Sequence, residues 1–251
     1  MSFAGKVAIV TGAAQGIGAA YARQLAAKGV RLVLADLNVE RAGDVAAEIV
    51  AAGGQARAVA TDVGSIPSCQ ACAAAAVEAF GGVDYLVNNA GLLSAARLPP
   101  LHLIEEADYQ RVLGVNMHAC LFMTRAVLES MKARGGGAVV NTSSIGAWQA
   151  TGIYGLSKLG VNGLTVALAR ELGPMNIRVN AIAPGTVNTE GMQPIMSVEQ
   201  MSQWGSMLGR PTTEVAGPDL IAQVGVFLLS DEARYVSGQI VPVDGGIMIR
   251  P

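Results

Sequence analysis

Tyr154 and Lys158 stand four residues apart in the run YGLSK. On a helix that spacing places both side chains on one face, so the ammonium can lie beside the phenol. A neighbouring cation favours phenolate and draws down a pKa that is about 10 in the free side chain. The pair is then suited to take a proton from an alcohol, or give one to a ketone, near neutral pH. Alone, such a pair is common by chance and reads as a solvated helix face. A second cluster gives it a setting. Thr11-Gly12-Ala13-Ala14-Gln15-Gly16-Ile17-Gly18 lies between the apolar run KVAIV and the helical pattern AAYARQLAAKG. At such a strand-to-helix junction, missing side chains let the backbone approach a pyrophosphate, while the helix start supplies free N–H groups and the positive end of its dipole.

These groups need a scaffold, and the 251-residue chain carries the pattern of one. Short apolar runs at 6–10, 31–35, 56–60, 85–87, 138–140, 178–182 and 239–243 read as strands; stretches at 16–28, 39–52, 65–80, 106–134, 154–172 and 219–229 read as helices. The runs are near-continuous β-branched and leucine stretches without apolar/polar alternation, which predicts strands buried on both faces. Their alternation with helices predicts βαβ units and an α/β, doubly wound parallel sheet of seven strands with helices on both faces. No Pro-, Gly- or Ser-rich linker and no internal repeat divides the chain, so one domain over 1–251 is the economical reading.

Composition narrows the classes further. With 51% hydrophobic and 14% charged residues the chain is not a disordered one, and its length is ample for a sizeable core. A net charge of −2 provides no strong field for nucleic acid or an anionic membrane. The mean hydropathy of +0.42 raises the question of a membrane span. The longest uncharged stretch, 135–157, is interrupted by Asn141, Thr142, Ser143, Ser144, Gln149 and Thr151. The first ten residues lack the long apolar core of a secretion signal, so a soluble, cytoplasmic protein is expected. Of the cysteines at 69, 72 and 120, the first two form a C-x-x-C in an alanine-rich helical segment with no matching histidine pair. They read as small buried hydrophobes, and no metal site is expected.

The spacing G-x-x-x-G-x-G of Gly12, Gly16 and Gly18 resembles that of the short-chain dehydrogenase/reductase family, and the resemblance runs along nearly the whole chain. Thr61-Asp62-Val63 stands where the family places an Asp beside the adenine ring. Asn88-Asn89-Ala90-Gly91 resembles its N-N-A-G, whose backbone lines the cofactor cleft. Asn116, in GVNMHA, corresponds to the Asn of its catalytic tetrad, and Tyr154 and Lys158 to its Y-x-x-x-K. Pro184-Gly185-Thr186-Val187-Asn188-Thr189 matches its P-G-x-x-x-T, and VPVDGG near the C-terminus matches its closing strand and turn. In the strand-end run Asn141-Thr142-Ser143-Ser144-Ile145-Gly146 the alignment selects Ser144 as the serine that hydrogen-bonds the reacting oxygen. Ser144 precedes Tyr154 by ten residues, fewer than in the family, so the loop AWQATGI is shortened and Ser143 stays an alternative.

The resemblance implies a Rossmann-type fold and hydride transfer between a carbinol carbon and a nicotinamide. Ser144 would hold the substrate oxygen, Tyr154 exchange its proton, Lys158 bind the nicotinamide ribose and tune Tyr154, and Asn116 anchor a relay water. Gly12, Gln15, Gly16, Ile17, Gly18, Asp36, Leu37, Asp62, Val63, Asn89, Ala90, Gly91, Pro184, Gly185, Val187 and Thr189 would line the cofactor together with Tyr154 and Lys158. Asp36 ends the second strand 18 residues past Gly18. A carboxylate there accepts from the adenosine ribose hydroxyls and repels a 2′-phosphate, which makes NAD the expected cofactor. Gln15 and Leu37 stand where NADPH-preferring relatives often carry Arg or Lys. The corresponding family segment to 189–211 is a mobile helical lid over the substrate. Here it holds Met192, Met196, Met201, Met207 and Trp204, and with Leu92, Leu93, Trp148 and Ile153 these favour a hydrophobic secondary alcohol or ketone. Apolar surplus on 118–131 and 155–172, together with the C-terminal GGIMIRP, suits a homotetramer of the kind relatives form. Two alternatives are an NADPH-dependent 3-oxoacyl (carrier protein or CoA) reductase and a non-catalytic dinucleotide-binding protein.

Overall fold

The computed structural model describes residues 3–149, 152–212 and 214–249. Ala150 and Thr151 of the shortened loop, and Arg250 and Pro251 of the C-terminal segment, lie outside the described residues. Strands β1 (Val7–Thr11), β2 (Arg31–Asp36), β3 (Gln55–Ala60), β4 (Tyr85–Asn88), β5 (Gly137–Thr142), β6 (Ile177–Pro184) and β7 (Ile240–Val243) pair in parallel, in the order β3-β2-β1-β4-β5-β6-β7. This is the doubly wound arrangement that the alternation predicts, and the winding direction reverses between β1 and β4.

The period of two along each strand sends alternate residues into two apolar layers. Ala8 and Val10, with Leu32 and Leu34, meet helices α1 (Gly16–Ala27), α2 (Val39–Ala51) and α9 (Pro218–Leu229). Ile9, Val33 and Ala35 meet α3 (Ile66–Phe80), α5 (Ala119–Ala133) and α7 (Gly152–Leu172) on the opposite face. Small residues permit close approach: a Cβ on Gly225 of α9 would collide with the buried Tyr21 hydroxyl of α1. Cys69 and Cys72 are fully buried in the second layer, and burial pushes the Cys69 thiol up to about 11.

Three departures from the sequence pattern have physical causes. The edge strand β3 has only one neighbour, so its residues alternate between exposed and half-buried in place of two-sided burial. The helix predicted over 106–134 is interrupted: α4 (Glu106–Leu113) passes through a π-helical turn, Gly114–His118, before α5 begins. Such turns insert a residue and re-aim a side chain, here Asn116. An additional helix, α8 (Val198–Met207), starts at a capping box in which Ser197 accepts from Gln200 N and Gln200 reaches back to the Ser197 N–H. The short α6 (Gly146–Gln149) precedes α7. Among the described residues no helix is long and apolar enough to cross a membrane.

Candidate active site

Where the sheet order reverses, the C-terminal strand ends open a crevice, the usual ligand position of such sheets. One cavity, of about 330 Å³, is walled by Gly12, Gln15, Gly16, Asp36, Leu37, Asp62, Val63 and Ala90. A second, of about 150 Å³, is walled by Ser144, Tyr154, Lys158, Pro184, Gly185 and Val187. Ile17, Asn89, Gly91, Leu93 and Thr189 belong to both. Of the predicted catalytic and cofactor residues, two stand outside: Gly18 and Asn116 line neither cavity.

Gly18 acts by packing. A Cβ there would collide with Gly12 O and lie 2.8 Å from Asn89 Nδ2. Gly12 itself has φ +64°, and a Cβ on it would lie 2.8 Å from Ala90 Cα. The glycine turn is therefore pressed onto the turn after β4, and hydrogen bonds fix the pair. Thr11 Oγ1 accepts from Asn89 N (2.9 Å) and Ala90 N (3.1 Å), while Asn89 Nδ2 donates to Thr11 O (3.1 Å) and Gly12 O (3.2 Å). Thr11 heads the glycine cluster in the sequence, but the spacing does not say that its hydroxyl receives the turn after β4. The N-cap Gln15 places no side-chain bond across the first turn of α1, whose residues Gly16 and Ile17 wall the cavity. A backbone laid open by glycine against a helix N-terminus fits the phosphates of a dinucleotide.

Asp36 holds the far end of the first cavity. Its Oδ2 accepts from Ala14 N (3.0 Å) and its Oδ1 from Asn38 N (2.9 Å), so the carboxylate ties β2 to the glycine turn and to the start of α2. Each carboxylate oxygen keeps acceptor capacity beyond these bonds. Asp62 is similarly fixed, its Oδ1 accepting from Gly64 N at 2.9 Å.

The two serines at the end of β5 separate cleanly. Ser143 is buried and turned inward, its Oγ 2.6 Å from Asn162 Oδ1 and 3.2 Å from Lys158 O. Ser144 faces the cavity and hydrogen-bonds Tyr154. Its Oγ accepts from Gly146 N at 3.1 Å, which leaves the hydroxyl proton to be donated elsewhere. Lys158 is buried, and its Nζ donates to Thr142 O at 2.8 Å, 5.9 Å from the centre of the Tyr154 ring. Gly91 lies beside it, since a Cβ there would be in ordinary contact with Nζ at 3.5 Å.

Burial pushes the Tyr154 phenol above the ordinary tyrosine value, and the Ser144 hydrogen bond draws it back only in part. Burial also pushes the Lys158 ammonium below its ordinary value. The ammonium donates to a carbonyl on β5 while lying over the Tyr154 ring.

Asn116 sits one layer back. Its Oδ1 accepts from Leu92 N (2.7 Å) and its Nδ2 donates to Ser157 Oγ (3.2 Å), which in turn donates to Tyr154 O (2.7 Å). Behind the site, Asn88 Nδ2 donates to Asn141 Oδ1 and Asn141 Nδ2 to Thr165 Oγ1, both at 2.9 Å, locking β4, β5 and α7 in register. The sign of this network in the sequence is an Asn at the end of two otherwise apolar runs, YLVN and AVVN. Of the residues expected over the substrate, Leu93 and Met192 wall the second cavity. Met201 is the buried methionine of α8, Ile153 packs with Ala95 and Val112, and Met207 and Trp204 face outward, 79% and 43% exposed. Among the described residues no group of His, Cys, Asp and Glu is placed to hold a metal ion.

The family model described as enoyl-(acyl carrier protein) reductase matches residues 12–248. An uncharacterized oxidoreductase of Mycobacterium tuberculosis is 48% identical over 248 residues, covering 99% of each chain. The D-threitol dehydrogenase of Mycolicibacterium smegmatis is 40% identical, over 98% of this chain and 94% of its own. The solved structure of a 7α-hydroxysteroid dehydrogenase complexed with NADH and 7-oxo glycochenodeoxycholic acid superposes with a TM-score of 0.90. It is 35% identical, over 98% of this chain and 95% of that one. Matches of that extent, on a parallel sheet that carries the glycine turn and the Tyr-Lys helix at its reversal point, make this chain a member of the short-chain dehydrogenase/reductase family of oxidoreductases, which bind a nicotinamide dinucleotide.

Proposed function

We propose that the protein transfers a hydride between NAD(H) and a secondary alcohol or ketone, with Tyr154 as the general acid and base. The observation that carries this reading is the meeting of Ser144, Tyr154 and Lys158 in one cavity that opens onto the glycine turn. Nicotinamide supplies the redox chemistry, as hydride acceptor or donor. The chain's own part is to bind, orient and move a proton. Ser144, oriented by Gly146 N–H, donates to the substrate oxygen; the Tyr154 phenol gives that oxygen a proton in reduction and takes it back in oxidation. A phenol held above the ordinary value stays protonated at neutral pH, which suits ketone reduction there; alcohol oxidation gains as pH rises toward phenolate. Lys158 holds the ribose side of the cavity, and Asn116 fixes Leu92 and, through Ser157, the first turn of α7.

NAD over NADP is supported by Asp36, whose carboxylate faces the cavity at the end of β2. Leu93 and Met192 favour a hydrophobic substrate. The 40% identity to a D-threitol dehydrogenase favours a second reading, a small polyol. Free, buried cysteines suit a reducing compartment, the cytoplasm. Turnover over aliphatic, aryl, steroid and polyol alcohols, with NAD and NADP in parallel, distinguishes these readings. Y154F is expected to abolish turnover. Unchanged turnover in Y154F overturns the mechanism.

A further inference from the structure

Glu190 follows Thr189 in the segment that leads from β6 toward α8. Its Oε2 accepts from Gly16 N at 3.2 Å, and its Oε1 lies 3.7 Å from Arg41 Nη2. Three elements meet at this one carboxylate: the first residue of α1, the first turn of α2 and the segment after β6. The same segment also lies against the glycine turn, since a Cβ on Gly191 would be 3.5 Å from Gln15 Nε2. Gly16 N–H belongs to the positive end of the α1 dipole and to the wall of the larger cavity. Glu190 thus sets its own anion where a helix start receives a ligand's phosphate. The same charge offsets Arg41, five residues beyond Asp36. Both side chains are about half exposed, so the carboxylate can swing into solvent without disturbing buried packing.

We propose that Glu190 is an internal competitor for anionic ligands of this cleft and, by neutralising Arg41, a determinant of selectivity against 2′-phosphorylated nucleotides. A pyrophosphate that takes the Gly16 N–H has to displace the carboxylate, and a 2′-phosphate that approaches Arg41 meets a charge of its own sign. The proposal rests on the reading of the cleft as a dinucleotide site.

Calorimetric titration of ADP, NAD and NADP into the wild type, E190Q, E190A and the double variant R41M/E190Q tests it. E190Q is expected to bind ADP about five-fold more tightly than the wild type, the size of one charge at a helix end. E190A is expected to move the same way. Of the two dinucleotides, which differ only in the 2′-phosphate, NADP should show the larger gain, and R41M/E190Q should lose that additional gain. Wild-type binding of ADP with no tightening in either Glu190 variant overturns the proposal and leaves the dinucleotide reading standing. Equal gains for both dinucleotides overturn the part assigned to Arg41. A wild type that binds neither ADP nor NAD removes the dinucleotide reading, and the proposal with it.

Discussion

Removing one hydroxyl at a time assigns roles to the serines at the end of β5. Ser144 donates into the cavity, so S144A is expected to lower kcat on the order of a hundred-fold, the usual loss for a donor to a reacting oxygen, with little change in melting temperature. Ser143 braces Asn162 and the Lys158 carbonyl within the fold. S143A is expected to cost about 1 kcal/mol of stability, with less than a ten-fold loss of kcat. Steady-state kinetics and thermal melts on the two variants check this, and the reverse ranking exchanges the roles. The motif already points to Ser144, yet two adjacent serines before a shortened loop look alike until burial distinguishes them. The direction of the Lys158 side chain is equally hidden: helical spacing places it on the face of Tyr154 but does not say whether it meets the phenol or Thr142 O. Glu190 and Arg41 carry no motif, because their meeting is a matter of how the segment after β6 lies across α1.

Among the elements, β1, β4 and the end of α5 are joined at the N-terminal edge of the sheet by a single carboxylate. Asp84 is buried, and it accepts from Val7 N (2.9 Å), Lys6 Nζ (3.1 Å) and Arg134 Nε (2.9 Å). Burial pushes its pKa up, but the Arg134, Val7 and Lys6 bonds together outweigh burial, and the net shift is downward. A carboxylate lowered in the folded state contributes stability that is complete above its unfolded pKa, about 4, and is lost as pH falls through the lower folded value. D84N leaves Lys6 and Arg134 without their anion and is expected to cost about 3 kcal/mol at neutral pH. The deficit should shrink as the wild type is acidified below about pH 4, as measured by denaturant unfolding at several pH values. A deficit independent of pH contradicts this account. Most elements are legible in advance, since seven apolar runs give seven strands within a residue or two at each end. The π-helical turn at Gly114–His118 is not, because GVNMHA continues the helical pattern and only the bonds of Asn116 require the extra residue. The start of α8 carries S-x-x-Q, a capping signal that passes unread within a methionine-rich stretch.

For the whole molecule, the apolar side chains left uncovered point to other copies of the chain. Leu159 and Val166 on α7 are 44% and 36% exposed although the rest of the helix covers the sheet. Such surplus suits a subunit contact. A homotetramer is expected, and light scattering should return four times the 25.7 kDa of one chain. L159K should give a smaller species with unchanged far-ultraviolet circular dichroism; a monomeric wild type rules the assembly out. Stoichiometry is the property least legible in the sequence, because an apolar helix face looks the same whether a sheet or a second subunit covers it.

The position of β1 in the middle of the sheet also bears on how the protein is made. Its two neighbours are β2, which follows closely, and β4, which pairs Ala8 with Tyr85. During synthesis one edge of β1 therefore stays open until β4 has left the ribosome, an interval on the order of several seconds at ordinary translation rates. Over that interval the glycine turn lacks the Asn89 amide that holds it and Val7 lacks Asp84. The nucleotide-binding half of the cleft is consequently encoded first but completed late, and the nascent chain carries an unpaired, largely apolar strand edge that chaperones are suited to shield.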